Sequence, residues 1–206
     1  MISIRTFVRL GIIASIPLML GLGWTVFAQR EVIPATATDL GYYGLVPEFW
    51  MRDQENKPFE RTDLMGKVWV ADFIFTRCAG QCPLMTAQVK RLLEAFRGAD
   101  SLRVVSFTVD PEHDSPEALT LYAKTSKVSD SRWRLVTGTH EEITRLSKEG
   151  FKLPLGVDED PQEPILHSTR LVLVDRDAAI RGYYDAFDEP AMLRLQRDLQ
   201  RLLRKE

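Results

Sequence analysis

Two cysteines that share one turn are the residues of this chain best suited to redox chemistry or to binding a soft metal. Cys78 and Cys82 are its only cysteines, and three residues separate them. On a helical or near-helical turn, positions i and i+4 face the same side, which puts both thiols within disulfide reach. A helix N-terminus also lowers the pKa of a nearby thiol. The pair can therefore exchange with a disulfide or chelate a soft metal such as copper.

Spacing alone leaves the role of the two thiols open. Dithiol oxidoreductases usually place two residues between their cysteines, and the third residue here relaxes the geometry toward a chelate without forbidding a Cys78–Cys82 disulfide. An inert structural disulfide is the other alternative, because exported compartments favour disulfides. A bridge across so short a loop constrains little of the unfolded chain, so its stabilising effect would be small.

His167 is the third candidate ligand, because it lies in a loop just before a predicted strand. Two thiolates and an imidazole form a trigonal set suited to copper, and zinc could use the same atoms with a water molecule in fourth place. The alternative for His167 is a hydrogen-bonded surface histidine. The other two histidines, His113 in a polar loop and His140 in the first turn of a helix, are predicted to be exposed.

Two more residues have side chains that could reach a metal. Asp110 ends a strand next to the cysteine strand, at the carboxyl edge of the predicted sheet. It could be a weak oxygen ligand or a hydrogen-bonding partner of a ligand, or simply a turn-forming aspartate before Pro111. Met85 is a soft ligand in principle, but it lies on an apolar helical stripe and is therefore predicted to pack in the core.

The elements that must position these residues alternate between strands and helices. Strands are predicted at 68–75, 102–109, 133–136, 169–175 and 178–184, after a short hairpin at 46–60. Helices are predicted at 82–96, 116–126 and 139–148, and from about Pro190 to the end of the chain. Alternation argues for a parallel core, to which the late hairpin adds antiparallel pairing. The pattern fits an α/β, thioredoxin-like mixed sheet with flanking helices.

Residues 10–28 form an uncharged apolar run that follows Arg5 and Arg9. The run is long enough to predict one N-terminal transmembrane helix with its N-terminus in the cytoplasm. A cleaved signal peptide and a buried core helix are the alternatives. The predicted organisation is an anchor or signal sequence at 1–29, a linker at 30–44 and one domain at 45–206. The chain is expected in the inner (cytoplasmic) membrane as a single-pass protein, with its domain on the periplasmic or outer face.

Composition excludes several classes of protein. Hydrophobic residues make up 45% of the chain and charged residues 27%, which is ordinary for a globular protein and excludes a wholly disordered chain. The formal net charge of −2 provides no basic surplus for binding nucleic acid. Two cysteines are too few for a disulfide-rich scaffold or a four-cysteine zinc site.

Several short motifs, taken in order, resemble the SCO/SenC family over about residues 43–204. They are Phe73-Ile74-Phe75-Thr76-Arg77-Cys78, Cys82-Pro83, Val109-Asp110-Pro111, Asp114-Ser115-Pro116, and His167 ahead of 171–175. The resemblance implies a thioredoxin-like fold, copper as the bound ion, and Cys78, Cys82 and His167 as its ligands. Asp110 matches the family's strand-end aspartate. Ala79 and Gly80 replace the proline and acidic residue that usually follow the first cysteine, so the loop should be more flexible and less negative.

The resemblance predicts a membrane-tethered copper metallochaperone rather than an enzyme. Its partner would be cytochrome c oxidase subunit II or another copper-site protein, which would receive copper by stepwise ligand exchange. The alternative is a membrane-tethered thiol–disulfide reductase in which Cys78 attacks a partner disulfide and Cys82 resolves the mixed species. A peroxidase on a related scaffold would need a peroxidatic environment that the sequence does not display.

Overall fold

A mixed β-sheet flanked by helices carries the candidate site. The computed structural model describes residues 40–153, 156–157, 165–166 and 168–204. The strands are β1 (Trp50–Asp53), β2 (Pro58–Glu60), β3 (Val68–Ile74), β4 (Leu102–Thr108), β5 (Trp133–Thr137), β6 (Gly156–Val157), β7 (Ile165–Leu166), β8 (Arg170–Val174) and β9 (Ile180–Asp185). The helices are α1 (Gln81–Ala95), α2 (Pro116–Thr125), α3 (His140–Arg145) and α4 (Glu189–Leu203).

Seven of these strands form one sheet in the order β2-β1-β5-β4-β3-β8-β9. β3, β4 and β5 are parallel, whereas β1 and β8 join them as antiparallel neighbours. The parallel centre and the late β8–β9 hairpin confirm the predicted mixed α/β sheet. β6 and β7 form a separate two-stranded pair, which was not predicted because two-residue strands are too short to show alternation.

β3 lies at the centre of the sheet, and all seven of its residues are buried. Six of them are apolar, as a strand covered on both faces requires. The exception is Asp72, whose Oδ1 accepts a hydrogen bond inside the sheet. Ser106 donates its hydroxyl to Asp72 at 2.5 Å, and Trp133 Nε1 donates to Ser106 at 2.8 Å. β4 and β5 therefore supply the polar groups that let β3 carry a carboxylate.

An aromatic cluster fills the core beside the parallel strands. Phe73 and Phe107 stack with ring centroids 5.6 Å apart. Phe151 meets Phe73 edge-on at 5.4 Å and Trp69 edge-on at 6.0 Å. Such offset and edge-to-face pairs add to the stabilisation that comes from burying the rings. The cluster fixes the strand that leads to the cysteine turn.

Helices α2, α3 and α4 begin with side-chain caps, whereas α1, which follows the cysteine turn, does not. Ser115 Oγ accepts from Ala118 N at the start of α2, and Pro116 follows in the first turn. Thr139 Oγ1 caps α3 by accepting from Glu142 N at 3.2 Å. Thr139 and Glu142 have the spacing of a capping box, but Glu142 accepts from Trp50 N instead of from Thr139 N. Helix α3 is also shorter than predicted, since a π-helical turn at Leu146–Gly150 replaces its last part.

The N-terminal part of the described chain pairs with the edge of the sheet. Tyr43 N donates to Ile180 O at 3.0 Å, and Leu45 forms an isolated bridge with Ala179. The predicted transmembrane helix and residues 30–39 of the predicted linker lie outside the described residues. Within the part of the chain that the structure describes, no helix is both long enough and apolar enough to cross a membrane.

Candidate metal and thiol site

Cys78 and Cys82 lie where β3 gives way to α1, as predicted. Cys78 N donates to Phe75 O at 3.2 Å, which closes the turn after the strand. Cys82 N in the first turn of α1 then donates to Cys78 Sγ at 3.3 Å. Both cysteines are thiols and both are buried. The helix start thus folds back on the first cysteine and brings both sulfur-bearing residues to one turn.

The Cys82 thiol does not have the lowered pKa that its place at the helix N-terminus predicts. Its hydrogen bond with Cys78 and its burial both raise its pKa, and this outweighs the backbone hydrogen bond to Phe75. The charges of Cys78 and Asp72 act in the same direction. The prediction of a readily available thiolate is therefore wrong for Cys82, whose proton must be displaced when a metal or a second sulfur binds.

Asp110 lies at the predicted place, directly after β4, and its carboxylate is occupied by two neighbours. Arg77 donates to Asp110 Oδ2 from Nη2 at 2.7 Å and from Nε at 3.2 Å. His113 Nδ1 lies 2.7 Å from Asp110 Oδ1. Burial alone would raise the pKa of Asp110, but the hydrogen bonds from His113 and Arg77 hold it below its usual value. Asp110 thus stays ionised beside the cysteine turn.

Asp114 braces the chain just before the cysteines; it belongs to one of the motifs of the family resemblance, but the sequence assigned it no role. Its side chain is fully buried. It accepts from Thr76 N at 3.1 Å and from the hydroxyls of Thr76 and Thr108. Thr76 lies 38 residues away in the sequence, so only the fold brings these partners together. Asp114 therefore links the cysteine turn to the end of β4.

Helix α1 is also tied to α2 behind the cysteines. The hydroxyls of Thr86 and Tyr122 are 2.9 Å apart, and both residues are buried. Burial raises the pKa of Tyr122 to about 12, so its hydroxyl stays protonated. Met85 on the same helix is fully buried in the core, which confirms its predicted packing role.

The predicted third ligand, His167, lies outside the described residues. It follows β7 directly, and Ser168 and Thr169 lead on to β8, the strand paired with the cysteine strand. The other two histidines are exposed, as predicted, although His113 is held by Asp110. Among the described residues, no three His, Cys, Asp or Glu side chains are grouped so that they could hold a metal ion.

Two sulfur donors on one turn are suited to two kinds of chemistry. As thiolates they would be soft ligands for copper, to which a nitrogen donor could add a third bond. As a dithiol they could be oxidised to a disulfide, since residues at this spacing lie within bridging distance on a turn. Both reactions require Cys82 to lose its proton.

Comparison with known proteins agrees with this chemistry. The family model described as SCO1/SenC matches residues 39–204. The chain is 32% identical over 145 residues to the SCO1 protein homolog of Bacillus subtilis (strain 168), which covers 69% of this chain and 75% of that protein.

Two solved structures share the fold. BsSco, a member of the Sco family of cytochrome c oxidase assembly proteins in which a disulfide switch has been identified, matches with a TM-score of 0.69 and 28% identity, over 79% of this chain and 95% of that chain. Bradyrhizobium japonicum ScoI, solved with copper bound, matches with a TM-score of 0.63 and 23% identity, over 77% of this chain and 99% of that chain. These matches confirm the predicted thioredoxin-like fold, and they include a protein whose bound ion is copper.

Proposed function

Because the chain belongs to the SCO1/SenC family, we propose that it is a membrane-tethered copper metallochaperone that assists assembly of the copper site of cytochrome c oxidase. The observation that carries this proposal is the cysteine turn, in which Cys82 N donates to Cys78 Sγ at 3.3 Å. Copper is the cargo, and Cys78, Cys82 and His167 are its proposed ligands. A trigonal set of two thiolates and one imidazole suits copper in either oxidation state.

The hand-over of copper would proceed by ligand exchange. A thiolate or imidazole of the acceptor replaces one ligand of this chain at a time, so that copper is never released into solvent. The proposed acceptor is cytochrome c oxidase subunit II or another copper-site protein, because BsSco belongs to the assembly proteins of that oxidase. Residues 10–28 would hold the domain at the outer face of the membrane.

Anaerobic titration of the reduced, full-length chain with Cu(I) tests the ligand set. We expect the wild-type protein to bind one tight equivalent, and Cys78→Ser, Cys82→Ser and His167→Ala each to weaken binding by at least about tenfold, since each removes a ligand. His140→Ala is the matched control, because His140 is exposed at the start of α3. Equal binding by the His167 variant and the wild-type protein would remove the imidazole from the proposed site.

A thiol–disulfide reductase is the second candidate, and the close approach of Cys82 to Cys78 favours it. Cys78 would attack a partner disulfide, form a mixed disulfide and release one partner thiolate. Cys82 would then attack Cys78 Sγ, which forms the Cys78–Cys82 disulfide and releases the second partner thiolate. His167→Ala should leave this exchange unchanged while it weakens copper binding, so the two candidates make opposite predictions for one variant.

A further inference from the structure

An open groove with a volume of about 570 Å³ lies beside the candidate site. Trp50 lines this groove and is 62% exposed, although large aromatic side chains are usually mostly buried. Pro111, in the loop between β4 and α2, and Pro116, the first residue of α2, line the same groove. We call it the Trp50 groove. Exposed indoles flanked by rigid apolar residues are typical anchoring points for a partner protein.

Gly138 and Glu142 shape the Trp50 groove. Glu142 Oε1 accepts from Trp50 N at 2.6 Å, which fixes its carboxylate at the groove. A Cβ added at Gly138 would lie 3.0 Å from Met51 Cγ and 3.4 Å from Glu142 Oε2. A larger residue at this position would therefore crowd Met51 and Glu142, so the glycine allows both to pack closely at the groove.

The charge of the Trp50 groove is negative. Three carboxylates line it, those of Glu60, Glu117 and Glu142, against one cation, Arg52. The guanidinium of Arg52 is already engaged, because its Nη1 donates to Asn56 O at 3.0 Å. An exposed indole face and nearby carboxylates form the environment that recognises a lysine or arginine side chain.

The Trp50 groove opens at the same edge of the sheet as the cysteine turn. Cys78 follows the carboxyl end of β3, whereas Thr137 and Gly138 stand at the carboxyl end of β5 beside Trp50. From β3 to β1 there are three strand spacings, roughly 14 Å at about 4.8 Å each. An extended segment of about five residues covers that distance. The loop 110–116 serves both features, since Asp110 pairs with Arg77 and the next residue, Pro111, lines the groove.

We propose that the Trp50 groove binds an extended segment, bearing lysine or arginine, of the protein that exchanges copper or electrons with the cysteine turn. The inference rests on the proposed function for the identity of that partner. The chemistry of the segment is inferred from the groove itself. A cationic side chain of the segment would lie over the Trp50 indole and pair with the carboxylates of Glu117 and Glu142. The groove would hold the partner protein while the metal ligands of that partner reach Cys78.

Calorimetric titration of the reduced, metal-free, full-length protein with two synthetic peptides tests this proposal. One peptide contains three Ala-Lys-Pro repeats and the other three Ala-Glu-Pro repeats. We expect only the cationic peptide to bind, and more weakly as salt is added. Trp50→Ala should weaken binding of the cationic peptide by at least about tenfold. A triple variant, in which Glu60, Glu117 and Glu142 are all replaced by Gln, should weaken it to a similar extent. Leu193→Ala is the matched control, because Leu193 is an exposed apolar residue of α4.

Several outcomes would overturn the proposal. Among them are equal binding of both peptides, binding of neither, and cationic binding that Trp50→Ala leaves intact. Self-association of the wild-type protein that Trp50→Ala abolishes, measured by sedimentation, would assign the groove to a second copy of this chain instead. The peptide titration uses no copper, and Trp50→Ala should bind copper as the wild-type protein does. Failure of the groove and failure of the copper assignment are therefore distinguishable.

Discussion

Single side chains set the charge next to the cysteine turn. Asp110 is buried, and its carboxylate is bound by Arg77 and His113. Because these hydrogen bonds hold the pKa of Asp110 below its usual value, the carboxylate stays negative and balances the guanidinium beside Cys78. A folded-state pKa below the unfolded one stabilises the protein above the unfolded pKa, and this stability is lost as the pH falls.

Asp110→Asn tests this contribution. At about pH 7 the substitution should lower the free energy of unfolding by about 1–3 kcal/mol, because a buried charge-assisted hydrogen bond is lost. The difference from the wild-type protein should shrink as the pH falls below about 4, where the unfolded carboxyl becomes protonated. Urea denaturation of both proteins at several pH values measures it. A difference that is constant with pH would show that the ionisation of Asp110 does not stabilise the fold.

Copper binding should depend on pH because of Cys82. Burial and the hydrogen bond with Cys78 raise the pKa of its thiol, so the metal has to displace a proton. We expect the apparent copper affinity to rise with pH, by roughly tenfold per unit for each proton released. Competition with a copper chelator of known affinity, repeated across neutral pH, measures the slope. A flat profile would mean that no thiol proton is lost on binding.

At the scale of elements, the site depends on contacts between segments that are far apart in the sequence. The apolar run of β3 and the periodic stripe of α1 could be predicted from sequence, and with them the place of the cysteines. The hydrogen-bond partners of Asp72 and Asp114 could not be predicted in this way, because Ser106 is 34 residues from Asp72 and Thr76 is 38 residues from Asp114. Local patterns report burial and periodicity, whereas these hydrogen bonds depend on which strands become neighbours.

Asp114→Ala should loosen the turn that carries the cysteines. It leaves three donors on Thr76 and Thr108 without their acceptor, so we expect a loss of stability of about 2–4 kcal/mol. Copper affinity should fall as well, because the turn before Cys78 loses its brace. Chemical denaturation and copper titration measure the two effects. Asp177→Ala, at an exposed turn, is the control and should change neither the stability nor the copper affinity. An Asp114→Ala variant as stable as the wild-type protein would contradict the bracing role of Asp114.

At the scale of the whole molecule, the aromatic core anchors the segment that leads to His167. Phe151 is fully buried against Trp69, Phe73 and Phe107, and its carbonyl accepts from the Tyr183 hydroxyl at 3.0 Å. Leu153 N then donates to Ser147 O at 2.9 Å. The residues before that segment are thus held by the core, and three residues after His167 the chain begins β8, which pairs with the cysteine strand.

Phe151→Ala should cost about 3–5 kcal/mol of unfolding free energy, because it opens a cavity among packed rings. Phe151→Leu should cost less, since most of the buried volume is kept. Phe187→Ala is the matched control, because that ring is 44% exposed. Denaturant midpoints of the three variants measure the ranking. If Phe151→Ala were no more destabilising than Phe187→Ala, the aromatic cluster would not be the anchor described above.

The two cysteines of the turn are not equally accessible from solvent. Cys78 is 5% exposed and Cys82 is fully buried. An acceptor ligand, a disulfide or an alkylating reagent that arrives from solvent is expected to reach Cys78 before Cys82. In any exchange at the turn, Cys78 is therefore expected to react first and Cys82 second.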